Sequence, residues 1–286
     1  MKQYPPIPPV EDAPDGLLDA GHLWILEKVD GGHLRFQLRE SGVLRFGDRT
    51  RVFGDADDVP LPYRHAVRHV RENIDREALR RAVDDVEAVV FFGEAMHHHV
   101  IEYDWHRTPP FLGFDVWSDR VDGFRPPDTA SHIFERLGLR PVNALERERH
   151  TRDFDAESYA VPSSAWYDGP AEGVVVRNKR GGRAQILHPR FREADDSTAD
   201  GPEPADGTVE ELAARYATRR RFDRLASVLE ATYGSVSFDT LYERAFEDVV
   251  REKHGRLFGG GRSIDVQAFR SELAALTREY LRERES

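Results

Sequence analysis

The chain has 286 residues, a formal net charge of -11 and no cysteine. The lack of cysteine excludes disulfide bonds, thiolate metal sites and cysteine nucleophiles. This length suffices for one well-buried core and a smaller second unit, and the acidic charge excludes the uniformly basic surface that nucleic-acid-binding proteins usually show.

Lysine supplies only four of the 41 basic residues. An aspartate-rich and arginine-rich balance suits concentrated salt, where acidic surfaces stay soluble, and it predicts a halophilic source. Salt also weakens phosphate contacts, so any nucleic-acid site is expected to be a local arginine cluster. No stretch has the length and apolar character of a membrane span or a signal peptide, so we expect a cytoplasmic protein without a membrane partner.

An apolar run over 22–28 ends at Lys28, passes through a short Asp-Gly-Gly sequence, and resumes as alternating apolar and polar residues over 33–39. This pattern predicts a hairpin with Lys28 at a strand end. A lysine amine, unlike a guanidinium, can lose its proton and attack a phosphorus or carbonyl centre. The alternative is a solvated lysine at the end of a strand.

Acidic and aromatic side chains lie in or beside other predicted strands. Glu94 ends a buried apolar run, Glu172 begins a β-branched run that ends at Arg177, and Phe114 lies within a third run. A buried glutamate is costly unless it is paired, hydrogen-bonded or near a metal. Phe114 is either a core aromatic or a stacking platform for a base. Because strand-end residues can converge on one groove, we expect Lys28 and the two glutamates to share a cleft.

Two clusters of basic residues have more than one interpretation. Arg45, Arg49 and Arg51 form either a solvated strand edge or a set of phosphate contacts. The adjacent histidines His97–His99 cannot all point one way, so we expect surface or RNA-contacting histidines rather than a three-histidine metal site.

Composition divides the chain into three parts. An acidic, proline-containing segment over 194–207 predicts a linker between a first domain, 1–193, and a helical domain, 208–286. Thr208 begins a sequence with the spacing of a capping box. A triple glycine at 259–261 lacks the lysine of a phosphate-binding loop and predicts a break between helices.

Four short motifs occur in the order and approximate spacing of the covalent nucleotidyltransferases: Lys28-Val29-Asp30-Gly31, Phe92-Gly93-Glu94, Phe114-Asp115-Val116 and Glu172-Gly173-Val174-Val175-Val176-Arg177. Through them the chain resembles the RNA ligase family, particularly the nick-sealing RNA ligases, over roughly residues 20–192. The resemblance implies an α+β fold, with an ATP-grasp-like ligase domain of antiparallel sheets and flanking helices, followed by an all-helical domain. DNA ligases and capping enzymes typically continue instead into a β-rich domain.

The resemblance also implies an ATP-dependent reaction in three steps. Lys28 would attack the α-phosphate of ATP and form a lysyl-AMP intermediate. AMP would then pass to an RNA 5′-phosphate, and an RNA 3′-hydroxyl would displace it to seal the strand. The implied cofactors are ATP and Mg²⁺ or Mn²⁺, and the implied setting is RNA repair or processing.

Individual roles follow from the same likeness. Glu94 would bind the ribose, Phe114 would stack on adenine, Glu27 would touch the adenine edge, and Glu172 would bind the metal. Arg49 would hold a phosphate or the ribose, with Arg45 and Arg51 as competitors. The other residues that the resemblance assigns to nucleotide binding are Asp30, Gly31, Arg177 and Gln185.

One feature departs from the family pattern. Members usually carry two lysines in the last strand, where this chain has Gln185 and Leu187. Transition-state stabilisation should therefore suffer unless Arg177, Lys179 or Arg183 reaches the phosphate. The departure leaves a second hypothesis, a nucleotide-responsive RNA-binding module that has lost ligation. A DNA ligase or capping enzyme is the third.

Overall fold

The computed structural model describes residues 1–196, 205–258 and 264–285. The described residues within 1–59, 66–96 and 101–198 form one compact unit, and those within 60–65, 97–100 and 199–286 form another. The predicted linker lies partly, and the predicted glycine break wholly, outside the described residues. The domain boundaries stay predictions.

The first unit is built on two antiparallel sheets. One has the strand order β7-β1-β8-β9 and the other has the order β3-β2-β4-β5-β6. The strands are β1 (His22–Lys28), β2 (Gly32–Leu38), β3 (Leu44–Gly47), β4 (Val89–Ala95), β5 (Phe111–Ser118), β6 (Gly123–Phe124), β7 (Ala144–His150), β8 (Gly173–Asn178) and β9 (Arg183–Leu187). The predicted α+β class with antiparallel sheets is confirmed.

Helices flank these sheets in the sequence and make up most of the second unit. The first 196 residues contain α1 (Arg64–Asn73), α2 (Arg76–Ala82), α3 (Pro127–Arg136) and α4 (Pro189–Asp196). The second unit contains α5 (Val209–Tyr216), α6 (Arg219–Tyr233), α7 (Phe238–Leu257) and α8 (Val266–Glu285). Thr208 caps α5 in the predicted capping box, and an apolar cluster that includes Leu212, Phe246 and Phe269 fills the core of this unit. Within the described ranges, every helix is too short or too polar to cross a membrane.

The predicted hairpin at Lys28 is wrong. β1 pairs with β7 and β8, whereas β2 pairs with β3 and β4, so the two strands belong to different sheets. The segment between the two strands is bound to residues 101–103 instead. The Asp30 amide donates to the Tyr103 hydroxyl at 2.7 Å, and an Asp30 carboxylate oxygen accepts from the Ile101 amide at 2.6 Å. The chain therefore passes from one sheet to the other directly after Lys28.

Side-chain alternation along the strands separates a core face from a site face. On the core face, Ile25 of β1, Val176 of β8 and Ile186 of β9 pack in one buried cluster. Lys28 and Gln185 occupy alternate positions on β1 and β9, and their side chains belong to the other face. Lys28 and Gln185 therefore lie on the same side of the four-stranded sheet.

Two groups of basic residues are partly buried in the structure. His97 and His98 are only 8% and 7% exposed, so the expectation of surface histidines is wrong for these two. In the second unit, Arg221 forms ion pairs with Asp248 and Glu252. Arginine side chains that look free in the sequence are therefore bound to carboxylates of a neighbouring helix.

Candidate active site

Residues of both sheets line a cavity of about 440 Å³ in the first unit. The predicted site residues among its lining are Glu27, Lys28, Arg49, Glu94, Phe114, Glu172, Arg177 and Gln185. The expected shared cleft is therefore present, although the chemical role of each residue stays a prediction. Asp30 and Gly31 are not part of this lining.

Lys28 and Glu172 form an ion pair inside the cavity. Lys28 is the last residue of β1 and lies opposite Gly173, the first residue of β8, so the pairing of the strands brings Glu172 beside the lysine. A Cβ atom on Gly173 would lie 2.4 Å from the Ile186 carbonyl oxygen, so only glycine permits this approach of β9. The two side chains keep 27% and 18% exposure, which leaves the amine accessible from the cavity.

A second carboxylate, Glu94, faces the cavity from the other sheet. It lies opposite His33 in the pairing of β2 with β4. Burial raises the pKa of Glu94 to about 8; the charges of Glu172 and Asp30 add to the rise, and those of Lys28 and Arg49 oppose it. Near neutral pH this group can therefore be protonated and donate a hydrogen bond.

Aromatic rings form the wall around Phe114. The Tyr4 ring meets Phe114 edge-on with centroids 5.1 Å apart, and the His33 ring lies 5.6 Å from Phe114. Burial lowers the pKa of His33 to about 4, with the Arg49 and Arg35 charges contributing, so its imidazole is neutral at neutral pH. Phe114 itself is partly buried and also lines the cavity, so it has both of the locations that the sequence left open.

Sequence reasoning missed several lining residues. They are Tyr4, Pro6, Ile7 and His33, together with apolar residues of the strands. The first three belong to the amino-terminal arm, which follows β9 closely enough for the Gln185 amide to donate to the Pro8 carbonyl at 2.9 Å. No local pattern in a proline-rich arm predicts such docking. His33 lies in a predicted strand, but its position opposite Glu94 follows only from the pairing of β2 with β4.

A buried charge cluster lies beside the cavity and explains two of the arginines. Asp115 is fully buried, and its carboxylate binds Arg177 at 3.2 Å and Arg183 at 2.7 Å. Tyr4 donates its hydroxyl to the same carboxylate at 3.0 Å, and burial raises the Tyr4 pKa well above its ordinary value. We call these four residues the Asp115 cluster. The signal for it was an aspartate inside an apolar strand, since such a group needs partners.

The three residues that could replace the missing strand lysines all form ion pairs with carboxylates of this protein. Arg177 and Arg183 belong to the Asp115 cluster, and Lys179 binds Asp128 at 2.8 Å and Glu148 at 2.6 Å. Gln185 and Leu187 line the cavity at the positions in question. Of these three candidates, only Arg177 belongs to the cavity lining.

Glu27 lines the cavity, but other groups hold its carboxylate. Ser164 donates its hydroxyl at 2.6 Å and Asn143 its amide at 3.2 Å, and the Ala165 backbone amide lies 3.3 Å away. Burial raises the Glu27 pKa, and these hydrogen bonds oppose the rise. A contact with the adenine edge stays a prediction for this residue.

The structure separates the three candidate arginines near β3. Arg49 lines the cavity, whereas Arg45 and Arg51 are not among its lining residues. Arg51 binds Asp48 at 3.0 Å on the surface.

Gly31 lies between β1 and β2, where a Cβ atom would lie 2.6 Å from the carbonyl oxygen of Ala95 in β4. The close approach of the chain to β4 therefore requires glycine at this position.

The cavity has carboxylate oxygens of the kind that Mg²⁺ and Mn²⁺ prefer. Glu172 and Glu94 both face it, but within the described part of the chain no group of three or more acidic, histidine or cysteine residues is placed to hold a metal. Mg²⁺ commonly binds through one or two carboxylates together with substrate phosphates and water. The donor set fits a metal that arrives with a nucleotide.

Comparisons with solved structures agree with this architecture. An archaeal ATP-dependent RNA ligase matches with a TM-score of 0.51 and 14% identity, covering 98% of this chain and 67% of that one. The RNA ligase of Naegleria gruberi with pyrophosphate matches with a TM-score of 0.53 and 14% identity, covering 69% of this chain and 58% of that one. Variants of the Naegleria ligase have been solved with ATP and Mn and with AMP and Mn. At this level of identity the likeness establishes the fold.

Comparisons of sequence assign the family. A search of curated proteins finds no match. The family model of RNA ligases, however, matches residues 21–191, which is more than half of the chain and includes all four motifs. This chain therefore belongs to the RNA ligase family.

Proposed function

We propose that this protein is an ATP-dependent RNA ligase that joins RNA 5′-phosphate and 3′-hydroxyl ends through a lysyl-AMP intermediate. The observation that carries the proposal is the Lys28 amine, which shares one cavity with Glu94, Glu172 and Phe114. The arrangement offers a nucleophile, hard oxygen ligands and an aromatic surface within one cavity. We assign the activity to RNA repair or processing.

In the first step the Lys28 nitrogen bonds to the α-phosphorus of ATP while the bond to pyrophosphate breaks. The amine attacks through its nitrogen lone pair, and its proton passes to solvent. Glu172 holds the lysine in place before the reaction and would bind a divalent cation once a nucleotide enters. When bound, that cation supplies charge neutralisation on the phosphates.

Other lining residues position the nucleotide. Phe114 presents a ring to adenine, and Glu94 faces the place proposed for the ribose, where a protonated carboxyl can donate and accept hydrogen bonds. Arg49 supplies a cation for a phosphate. In the later steps the RNA 5′-phosphate oxygen takes the AMP from Lys28, and a 3′-hydroxyl oxygen then attacks that phosphate and releases AMP.

Incubation with α-labelled ATP and Mg²⁺ or Mn²⁺ tests the proposal. We expect covalent label on the wild-type protein and none on Lys28→Ala, because the phosphoramidate can form only on that nitrogen. The matched control is Lys179→Ala, which removes another lysine of the same unit that pairs with Asp128 and Glu148 on the surface. Label that survives Lys28→Ala would refute the proposal, as would an unlabelled wild-type protein across low and molar KCl.

One observation favours a second candidate function. Gln185 and Leu187 bring no charge to the cavity, so the protein could instead respond to nucleotide and bind RNA without completing ligation. Sealing of a nicked RNA duplex separates the two candidates. Comparison with a nicked DNA duplex, and of ATP with GTP, tests the DNA ligase and capping alternatives.

The halophilic source stays a prediction. Measuring the melting temperature against KCl concentration tests it.

A further inference from the structure

A second concave surface adjoins the Lys28 cavity. It is an open groove of about 590 Å³ that begins at the end of α3 and continues along β7. Val142 lines both this groove and the Lys28 cavity, so the two spaces meet at that residue. We call this surface the Arg140 groove. Nothing in the proposed chemistry of ATP uses it.

Two exposed arginines of the Arg140 groove are held over buried tryptophans. The Arg140 guanidinium lies 4.9 Å from the centre of the Trp166 ring, and the Arg147 guanidinium lies 5.3 Å from that of Trp24. The two rings are only 4% and 6% exposed and belong to the same apolar cluster as Val142. A cation over an aromatic face is attracted to it, and the ring also restricts where the side chain can point. The two guanidinium groups are therefore held in place by buried aromatic rings.

These arginines differ from several others of the same unit, whose charges are paired. Arg149, two residues beyond Arg147, binds both carboxylate oxygens of Glu146 at 2.9 Å, and Arg177 and Arg183 are neutralised by Asp115. Neither Arg140 nor Arg147 forms an ion pair with any residue in the described ranges. Glu135 also lines the groove, but its exposed carboxylate lies 3.8 Å from His132. The two guanidinium groups are thus available to an external anion.

The chemistry of the groove favours a phosphodiester backbone as its occupant. A protein with a net charge of -11 must attract a polyanion through a local patch, because its overall field repels one. Guanidinium groups match phosphate oxygens in geometry, and an open groove admits a strand rather than a small enclosed ligand. Because Val142 lines both spaces, a strand in the groove would have its end close to the cavity that holds Lys28.

We infer that the Arg140 groove is the RNA-binding track of this protein, in which Arg140 and Arg147 contact successive parts of the sugar-phosphate backbone beside the reactive end. The inference rests on the proposed function for the identity of the polyanion. Contacts of this kind orient the strand and carry no base preference. They act on RNA binding and not on the attack of Lys28 on ATP.

Binding of a labelled nicked RNA duplex to Arg140→Ala/Arg147→Ala, measured from 50 to 200 mM salt, tests the inference. Each lost phosphate contact lowers the slope of log Kd against log salt by about 0.9 for a duplex. Over this range the wild-type Kd should therefore rise ~12-fold more than that of the double variant. The matched control is Arg120→Ala/Arg152→Ala, which removes the same charge from exposed positions outside the groove and should keep the wild-type salt dependence.

The outcomes separate this inference from the proposed function. Wild-type affinity and slope in the groove variant would overturn the inference, as would an equal loss in the control or an absence of RNA binding by the wild-type protein. Thermal melting of each variant checks the fold, and Arg140→Lys/Arg147→Lys, which keeps the charge, should restore most of the slope. If Lys28 is not labelled by ATP but the groove variant loses the expected part of the salt dependence of RNA binding, only the ligase proposal is refuted.

Discussion

The Asp115 cluster and the Lys28 cavity both contain acidic, basic and aromatic residues, but the charges are buried and paired in the cluster and partly exposed in the cavity. In the cluster two buried arginines share one carboxylate, which also accepts a hydrogen bond from a tyrosine hydroxyl. In the cavity two carboxylates, Glu94 and Glu172, face a lysine that remains partly exposed. In the cluster the opposite charges neutralise one another, whereas the cavity keeps groups that a nucleotide can engage.

The difference teaches which basic residues can act in chemistry. An arginine whose donors are occupied by a buried carboxylate is part of the framework, even when it lies in a family motif, as Arg177 does. Among the described residues, Lys28 has one carboxylate partner, Glu172, at the edge of an open space, so a ligand can replace that partner. Motif membership alone does not distinguish these two situations.

The largest effect is expected from breaking the cluster. Asp115→Asn leaves two buried guanidinium groups without a counter-charge, which typically costs about 3–5 kcal/mol. For a unit of this size we expect the melting temperature to fall by ~6–20 °C in thermal unfolding. The control Asp128→Asn breaks the exposed pair with Lys179 and should change stability by no more than about 1 kcal/mol. Equal losses in the two variants would remove the distinction between framework and surface pairs.

A smaller effect is expected from adding a cation to the cavity. Gln185→Lys adds a charge at the position where the resemblance to RNA ligases predicts a lysine, and the nearby Arg183 and Lys179 are bound elsewhere. Since one preorganised donor is worth about 100-fold in rate, self-adenylation should accelerate by up to ~100-fold. Gln185→Glu is the matched control and should slow the reaction. An unchanged rate in the lysine variant would mean that another cation, such as Arg49 or Arg177, already serves.

The remaining test concerns the pH dependence of stability. Because the folded protein keeps the Glu94 proton up to about pH 8 and the unfolded chain releases it near the ordinary pKa of 4.5, the contribution of this residue to stability falls as pH rises through that window. Glu94→Gln should remove this contribution and flatten the free energy of unfolding between pH 5 and 8 in urea titrations. If the free energy of unfolding varies with pH in the same way in the wild type and in Glu94→Gln, the raised pKa of Glu94 is contradicted.

Local patterns in the sequence predicted much of the frame of the site. The runs that end at Lys28 and Glu94, and the run that begins after Glu172, are strands in the structure, because apolar and β-branched residues favour extended backbone whatever their partners. The same patterns misjudged the turn after Lys28. An Asp-Gly-Gly sequence permits a hairpin equally well, and the bonds from Asp30 to Ile101 and Tyr103 that redirect the chain involve residues about 70 positions away.

The sequence by itself determined the family motifs, the α+β class and the candidate nucleophile, since each depends on residue type and short-range order. Only the tertiary structure decided which cations are free to act: Arg177 and Arg183 are neutralised by an aspartate more than 60 positions away, and Tyr4 reaches the same carboxylate from the other end of the unit. The physical reason is that the state of a charged group depends on the partners and solvent around it, and folding brings those partners together from distant parts of the chain.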